Sequence, residues 1–445
     1  MSTSGFYITG GQVYLDSTLQ NVALGIENGE IAEITDNDSV PSNAETHKLD
    51  GEYVIPGLVD GHVHLREPGY EEKEGIKTGT AAAAAGGITT IVEMPNTTPP
   101  VLTIQDLNKK RTLFDEKSHV DYALFGAVTD ENVGTGDIRE LADAGVTAFK
   151  TFMATSFGPL LMDDKGVLFR AFEEIADTGL PIYIHAEDQE YLNEFRDSAD
   201  DLSGMDAFLS SRPPIAETTA IADVIEIVRE TDAETVIPHI TTSEGVELVT
   251  RAREDGVPIQ AEVTPYHLAI DQNKLKDIGT VGIGTPPVRG AENKHRLNTA
   301  LESGKIQLIG SDHAPHTLSE KQRPPIEVAP GMPQLETALP VLFDAVFDGR
   351  LSLSRVVDAY ATEPAKRHGL FPRKGTIRIG SDADLVIVDP DRETVIDARE
   401  FESTAPYNPF DGWTLTGCPI SVYQRGELIA REGQCLATPG DGMDL

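Results

Sequence analysis

The chain has 445 residues, of which 39% are hydrophobic and 24% are charged, as is usual for globular proteins. This composition excludes a disordered chain, a collagen and a coiled coil. The apolar stretches are shorter than the ~18–20 residues of a membrane span. The net charge is -37, from 36 basic and 73 acidic side chains. Because phosphates and anionic lipids repel so acidic a surface, we expect neither a nucleic-acid nor a membrane partner.

The acidic residues are spread along the whole chain and do not form a tail. This distribution predicts a halophilic protein with a solvating surface for a salt-rich cytoplasm, and an ordinary acidic enzyme is the alternative. The N-terminus, MSTSGFYITGG, lacks the basic and apolar regions of a secretory signal. The two cysteines, Cys418 and Cys435, suit a reducing compartment. We therefore expect a cytoplasmic location.

The two ends of the chain share a texture of short strands and turns. Residues 1–55 include FYITGGQVYLD and QNVALGIENGEIAEI, where apolar and polar residues alternate between Gly and Asn-Gly turns. The stretch from about residue 373 includes GTIRIGSDADLVIVD and PISVYQRGELIA, with the same alternation. This pattern predicts one small β domain built from residues 1–55 and 373–445.

The middle of the chain, residues 56–372, alternates short apolar runs with segments of helical periodicity. Eight such runs are present, at 57–63, 89–94, 121–128, 146–152, 181–185, 235–239, 258–263 and 305–310. Eight strand–helix repeats over about 300 residues are typical of a TIM-type barrel. A doubly wound open sheet is the rival, which the lack of a G-x-G-x-x-G motif after the first run disfavours. The predicted fold is α/β, a (β/α)8 barrel with a small β-sandwich domain formed by the terminal segments.

Histidines lie at the ends of these runs. His62 and His64 end the first run, His185 ends the fifth, His239 ends the sixth, and Asp312 follows the eighth. Each histidine alone is weak evidence, because most histidines are ordinary core or surface residues. However, the C-terminal ends of barrel strands meet on one face, where active sites form. We therefore expect these five side chains to lie together.

The H-x-H spacing has a structural reason. Residues i and i+2 of a strand point to the same side, so His62 and His64 can bind one cation through neutral imidazole nitrogens. Asp60 shares that face and is a further candidate near the same centre. Imidazole nitrogens and carboxylate oxygens are good ligands for Zn²⁺. The pattern predicts a zinc site at the barrel mouth.

Lys150, in VTAFKTFM, ends the fourth run and is expected to point into the same mouth. An ammonium group beside a cation site is electrostatically unfavourable. One interpretation is a salt bridge to a neighbouring carboxylate. The other is that the amine reacts with CO2 to form a carbamate, which is an anion able to bridge two metal ions.

Motifs along the whole chain resemble those of the type I dihydroorotases, a branch of the amidohydrolase superfamily. In chain order they are PGLVDGHVHLREPG, VEMPNT, AFKTFM, HAED, SRPPIAE, HITT, EVTPYHL, GSDHAPHT and PGMPQLET. The histidine, lysine and aspartate series belongs to the wider superfamily and does not separate dihydroorotases from hydantoinases or allantoinases. Arg66, Asn96 and His316 are the more specific elements.

The resemblance implies a set of site residues. It places one zinc ion on His62, His64 and Asp312 and a second on His185 and His239, with N6-carboxylated Lys150 bridging both. It assigns the substrate carboxylate to Arg66, Asn96 and His316. The guanidinium fork suits a carboxylate, and the amide and imidazole add donors. For Arg66 alone, a surface salt bridge with Glu67 or Glu71 is the alternative.

Two positions depart from the family pattern. Thr285 stands where the family usually has Asn, so its contact with the substrate ring differs in chemistry. Tyr266-His267 replaces two adjacent histidines. Neither position is a metal ligand by the resemblance. The 316–331 segment, rich in Pro and charge, is either a lid over the substrate or a plain surface connection.

The implied activity is reversible cyclisation of N-carbamoyl-L-aspartate to L-dihydroorotate, a step of de novo pyrimidine (UMP) biosynthesis. In the hydrolytic direction a hydroxide activated by two zinc ions attacks the ring amide, and Asp312 shuttles the proton to the leaving nitrogen. The alternatives are another cyclic amidohydrolase (dihydropyrimidinase, hydantoinase or allantoinase) and a non-catalytic relative acting as a binding scaffold. The sequence leaves open whether the chain forms a homo-oligomer.

Overall fold

The computed structural model describes residues 5–155, 160–198 and 202–445. Residues 1–4 of the predicted N-terminal β segment therefore lie outside the described residues. Among those described, no helix is both long and apolar enough to cross a lipid bilayer.

The centre of the molecule is a sheet of eight parallel strands in the order of the sequence. These strands are preceded by seven others in the chain, so they are β8 (Leu58–Val63), β9 (Ile88–Glu93), β10 (Asp121–Ala127), β11 (Ala148–Phe152), β12 (Ile182–His185), β13 (Thr235–Ile237), β14 (Ile259–Val263) and β15 (Leu308–Ile309). Each lies within one of the eight predicted runs, or within one residue of it. The predicted (β/α)8 barrel is therefore confirmed.

The sheet closes where its first and last strands meet. A parallel bridge joins Val63 to His313, and the His64 N–H donates to the His313 carbonyl at 2.8 Å. Inside the barrel, apolar side chains from most strands fill the space in one cluster: Val92, Met94, Ala123, Phe125, Ala148, Tyr183, Val236 and Leu308. The barrel is therefore packed below its mouth, as this fold requires.

Helices surround the barrel strands. In chain order they are α1 (Ile76–Ala85), α2 (Ile104–Lys117), α3 (Asp137–Asp143), α4 (Lys165–Ala176), α5 (Gln189–Ser198), α6 (Gly204–Ser211), α7 (Pro214–Thr231), α8 (Ser243–Glu254), α9 (Pro265–Ala269), α10 (Gln272–Ile278), α11 (Ala291–Glu302), α12 (Leu318–Lys321), α13 (Ala338–Phe347), α14 (Leu353–Val357) and α15 (Glu363–Arg367). The alanine run forms the end of α1, where small side chains permit close packing and favour the helix. The residue after α1 is Gly86, and any side chain at this position would collide with the Leu335 carbonyl.

The terminal segments form two larger sheets and one two-stranded sheet. Their strands are β1 (Phe6–Thr9), β2 (Gln12–Leu15), β3 (Thr18–Gln20), β4 (Ala23–Glu27), β5 (Glu30–Thr35), β6 (Glu45–Lys48), β7 (Tyr53–Pro56), β16 (Leu385–Val388), β17 (Glu393–Val395), β18 (Thr414–Thr416), β19 (Pro419–Gln424), β20 (Glu427–Arg431) and β21 (Gln434–Cys435). One sheet has the order β5-β4-β1-β6, and the other has the order β21-β20-β19-β16-β7-β2-β3. The second sheet therefore combines strands from both ends of the chain.

The two terminal sheets share one hydrophobic core. Ile8, Leu24 and Ile26 of the four-stranded sheet lie in the same cluster as Val54 and Leu385 of the seven-stranded sheet. This arrangement is the predicted β-sandwich. The boundaries at residues 55 and 373 stay predictions.

Part of the C-terminal segment packs against helices of the barrel. Ile396, Tyr407 and Phe410 are buried in a cluster with Tyr266 of α9 and Val341 of α13. Strands β17 and β18 pair only with each other, as a separate two-stranded sheet. Alternating polarity predicts strands in this region but does not reveal which surface their apolar side chains cover.

Candidate active site

Two strand ends and one loop bring three side chains together at the barrel mouth. His62 lies in β8, His64 directly follows that strand, and Asp312 follows β15. The His62 Nε2 and His64 Nε2 atoms lie 3.4 and 3.2 Å from Asp312 Oδ1. One ligand atom from each residue lies within 4.8 Å of the other two. This is the geometry of a metal-binding group, as the sequence predicts.

Two further histidines meet beside this group. His185 ends β12 and His239 follows β13, and both are buried. His185 Nδ1 lies 3.3 Å from His239 Nε2. The His239 ring is 5.4 Å from that of His62, measured between ring centres. The structure therefore brings all four predicted histidines into one cluster.

Lys150 lies within the same cleft, on β11. Its side chain is fully buried, and its ammonium group has no hydrogen-bond partner among the described residues. The Nζ atom is 4.9 Å from the ring centre of Phe152. Burial lowers the pKa of Lys150 to about 8, so part of the population carries a neutral amine near neutral pH. The alternative of a direct salt bridge is not seen within the described residues.

Three of the four histidines make a contact that the motif analysis did not identify. His62 Nδ1 lies 2.7 Å from Glu262 Oε1, and His64 Nδ1 lies 2.7 Å from Asn96 Oδ1. These contacts leave Nε2 of both rings on the side of Asp312. Carboxylates and amides in such positions fix the tautomer and orientation of a metal-binding imidazole. Asn96 therefore orients His64 as well as lining the cleft.

The third partner is Glu187, two residues after His185. Its Oε2 atom lies 2.8 Å from His185 Nε2 and accepts a hydrogen bond of 2.6 Å from Arg212. Although burial alone would raise the pKa of Glu187, Arg212 and His185 hold it well below its usual range. The HAED and SRPPIAE motifs contain this pair. The contact between Glu187 and Arg212 joins residues too distant in sequence for spacing to reveal it.

Three residues of the site have a left-handed backbone. The φ angles are +64° for Arg66, +42° for His239 and +49° for Asp312. Residues other than glycine adopt such angles at a cost of about 1–3 kcal/mol each, which the surrounding structure must offset. Each of the three follows a barrel strand, where the reversal of the backbone directs the side chain into the mouth.

A cleft lies above the strands. Its lining is His62, His64, Arg66, Asn96, Lys150, Phe152, His185, His239, Thr285, Asp312, Ala314, Pro330 and Gly331. It contains the predicted Arg66, Asn96 and Thr285 together with every predicted metal-binding residue. Arg66 is 2% exposed, and burial lowers its pKa to about 10, so it remains a cation at neutral pH. The Glu67 carboxylate instead accepts from the Ile76 N–H and from Lys117.

His316 lies behind the cleft wall and is not among the residues that line it. Its Nε2 atom is 2.9 Å from the Pro330 carbonyl oxygen and 3.3 Å from an Arg66 nitrogen. Its backbone N–H and carbonyl both bond to the Tyr407 hydroxyl. Burial lowers the pKa of His316 to about 3, so the ring is neutral. In this structure His316 contacts Arg66, and its role as a direct substrate contact stays a prediction.

Asp60 does not join the metal-binding group, which corrects the expectation from its position. One carboxylate oxygen accepts from the His62 and Ser311 N–H groups at 3.1 and 3.0 Å. The other accepts from the Tyr360 hydroxyl at 2.7 Å. Tyr360 lies in a π-helical turn, Asp358–Thr362, a feature often found near functional sites. Asp60 therefore ties the first strand to the loop that contains Asp312.

The chain matches a known family over most of its length. The model of the "Amidohydrolase family" covers residues 53–429. The chain belongs to the amidohydrolase family. The matched residues include the whole barrel and strands β7, β16 and β19 of the seven-stranded sheet.

The relatives of this chain carry names of different activities. A relative named L-hydantoinase, from Paenarthrobacter aurescens, is 36% identical over 426 residues, which cover 94% of this chain and 92% of the relative. A relative named dihydroorotase, from Halobacterium salinarum, is 38% identical over 361 residues, covering 81% of this chain and 82% of the relative. The solved L-hydantoinase (dihydropyrimidinase) from Arthrobacter aurescens superposes with a TM-score of 0.95, at 33% identity and with 99% of both chains covered.

The three-residue group at the mouth of this amidohydrolase could hold a metal ion. Its donors are imidazole and carboxylate, the chemistry preferred by zinc. Two buried atoms at the mouth, His62 Nε2 and Lys150 Nζ, have no hydrogen-bond partner among the described residues. Buried polar groups are otherwise nearly always paired, so these two atoms point to a missing ligand.

Proposed function

We propose that the protein is a zinc-dependent dihydroorotase, which interconverts N-carbamoyl-L-aspartate and L-dihydroorotate in pyrimidine biosynthesis. The observation that supports this choice is the buried guanidinium of Arg66 in the cleft wall, beside the metal-binding group. A buried cation in a protein of charge -37 requires a reason. The ring carboxylate of dihydroorotate supplies one, because it pairs with a guanidinium in a planar fork.

The residues divide into two sets. His62, His64 and Asp312 would hold one zinc ion, His185 and His239 the other, and carboxylated Lys150 would lie between them. When bound, two zinc ions lower the pKa of water and polarise the ring carbonyl. Carboxylation of Lys150 needs a neutral amine, which its lowered pKa provides.

Asp312 supplies the proton transfer of the proposed reaction. During hydrolysis its carboxylate accepts the proton of the attacking water and then donates it to the leaving ring nitrogen. The two imidazole Nε2 atoms lie 3.2 and 3.4 Å from this carboxylate. Arg66 and Asn96 hold the substrate carboxylate, and Thr285 faces the same cleft. His316 supports Arg66 from behind through their 3.3 Å contact.

A hydantoinase or dihydropyrimidinase is the second candidate, favoured by the similarity to the L-hydantoinase of Paenarthrobacter aurescens. Rings of these substrate classes lack the carboxylate, so Arg66 would have no partner in the bound substrate. The proposed setting is a salt-rich cytoplasm, in agreement with the acidic composition. Whether several copies assemble is a question for the purified protein.

The test is a substrate panel with zinc-loaded protein in high salt, comparing dihydroorotate, dihydrouracil, hydantoin and allantoin. Turnover of dihydroorotate far above the other three supports the proposal. Efficient turnover of dihydrouracil or hydantoin, with none of dihydroorotate, would establish the second candidate. Absence of both bound metal and turnover would support the non-catalytic alternative.

Replacement of Arg66 sharpens this test. Arg66→Ala should lower kcat/KM for dihydroorotate by about 10- to 100-fold, because hydrogen bonds to charged groups contribute about 1.5–3 kcal/mol. Arg66→Lys should restore only part of it, since an ammonium lacks the planar fork. The zinc content should not change in either variant. An equal loss for dihydrouracil would show that Arg66 shapes the cleft without binding the carboxylate.

A further inference from the structure

A second buried cation lies behind the cleft wall. Lys321, the last residue of α12, is completely buried. Its ammonium donates three hydrogen bonds to backbone carbonyl oxygens, of 3.0 Å to Ile283, 3.1 Å to Ala329 and 2.8 Å to Gly331. These three acceptors come from two different segments of chain, so one ammonium group joins them.

The Lys321 charge has no carboxylate in contact with it among the described residues. All ion pairs within 4.0 Å involve other bases, and the adjacent Glu320 pairs with Lys73 at 2.8 Å. Glu320 also caps its own helix through the Thr317 N–H at 3.0 Å. The carbonyl dipoles around Lys321 solvate its charge without neutralising it. Positive charge is therefore in excess in this part of the molecule.

The excess charge lies next to the cleft. Gly331, whose carbonyl binds Lys321, is itself part of the cleft lining, as is Pro330 before it. The Gly331 N–H donates a 2.9 Å hydrogen bond to the Ile283 carbonyl oxygen, so Gly331 is hydrogen-bonded through both its N–H and its carbonyl group. A side chain at Gly331 would collide with the Ala314 carbonyl, and its φ is +130°. The 316–331 segment is thus built into the wall in this structure.

We propose that Lys321 is a specificity-determining residue, whose buried charge makes the cleft prefer rings that bear a carboxylate over otherwise identical neutral rings. This inference rests on the proposed function, because it adds a second source of positive potential to the carboxylate site of Arg66. A buried charge acts over several ångströms and is screened weakly by salt. Lys321 therefore needs no contact with the substrate.

The experiment compares two ligands that differ by one carboxylate, orotate and uracil. Their dissociation constants are measured by calorimetry on zinc-loaded protein at pH 6 and fixed salt. This pH is below the pKa of Lys321, which burial lowers to about 7. The variants are Lys321→Met, which removes charge and donors, and Lys321→Gln, which keeps a donor. Arg323→Met is the control, because it removes an exposed cation of the same segment.

The ratio of the two dissociation constants, uracil over orotate, should fall about tenfold in both Lys321 variants and stay unchanged in the control. Equal weakening of both ligands would show that Lys321 only shapes the wall, and an unchanged ratio would show that its charge is irrelevant. Either result overturns the inference.

Glu320→Gln provides an independent test with the opposite sign, and it is needed if the Lys321 variants do not fold. It keeps the helix cap and removes the nearest negative charge, so the ratio should rise. An unchanged or lower ratio would overturn the inference. Failure of the proposed function is separate, since it is seen as absent dihydroorotate turnover. A protein without dihydroorotate turnover that binds orotate more tightly than uracil would still support the charge effect. Equal binding of the two ligands by the wild-type protein would overturn it.

Discussion

The two ends of the barrel each contain a cluster of three groups able to bind a metal ion, and they differ in what fills it. At the mouth, His62, His64 and Asp312 converge around atoms that lack partners. At the opposite end, Asp121, at the start of β10, lies with two further aspartates. There the chain supplies its own cation.

That cation is Lys374, which is buried and lies 2.8 Å from both Asp382 and Asp384. It also bonds to Asp121, as does Arg425. None of these side chains has an unpartnered buried atom within the described residues. A cluster of residues of metal-ligand type is therefore a candidate metal site only where its side-chain atoms lack partners within the protein. The filled cluster is a structural connection between the barrel and the terminal segments.

The largest effect is expected at the mouth. Lys150→Ala should abolish turnover and release at least one zinc ion, because it removes the proposed bridging anion. Short carboxylic acids such as acetate should restore part of the activity by replacing the carbamate. Zinc content and turnover are measured together, with Lys165→Ala of α4 as an exposed control. Full zinc and normal turnover would make Lys150 a structural residue and weaken the contrast between the two ends.

Asp312→Asn preserves size but removes the base. Turnover should fall by about 10²–10⁴-fold, the range of a positioned acid–base group. The free energy of unfolding should change little, because this end of the barrel is not organised for stability. Kinetics and urea unfolding are compared on the same preparation. Turnover near that of wild type would eliminate the proton-transfer role.

Lys374→Met tests the opposite end of the barrel, where the change should lower stability and leave turnover intact. Removal of one partner from a buried ion cluster costs about 3–5 kcal/mol of unfolding free energy, because three carboxylates lose their cation. The folded fraction should retain its zinc and its kcat/KM. Arg373→Met is the matched control: this half-exposed base contacts the same Asp382, and its loss should cost less than about 1 kcal/mol. Equal costs would contradict the central role of Lys374.

The smallest expected effect is on the free energy of unfolding at acidic pH. Burial lowers the pKa of His368 to about 3 and that of His267 to about 4, below the ~6.5 of an unfolded chain. The unfolded state therefore binds more protons between these values, so stability falls as pH decreases from about 6.5. Each such histidine contributes at most about 1.4 kcal/mol per pH unit. Urea unfolding at pH 7, 6 and 5 should show a shallower slope for His368→Gln, and the exposed His295→Gln should match wild type.

The barrel was predictable because each of its strands has a local signal in the sequence, a short apolar run. A buried run that ends in a ligand type fixes both the strand and the edge at which its last side chain lies, which located His185 and His239. Contacts between distant segments carry no such signal. Glu262 beneath His62, and the Tyr360 hydroxyl that draws Asp60 away from the site, become visible only when the chain is folded.

The same limit applies to His316. Its motif identifies it, but its orientation depends on Pro330 and Arg66, which both contact its Nε2 atom. The terminal segments illustrate the point at a larger scale. Alternation predicts the strands that form the sandwich, whereas Tyr407 is buried against the barrel by neighbours that periodicity does not specify.

The closure between Val63 and His313 has a consequence for how the chain acquires its site. His62 and His64 belong to the first barrel strand, and Asp312 follows the last, so the three-residue group spans the seam. A nascent chain that has not yet joined these two strands contains the histidine pair but no third ligand. Metal ions bound there stabilise only molecules whose ring of strands is complete. Binding of a metal ion to all three residues would therefore require a closed barrel.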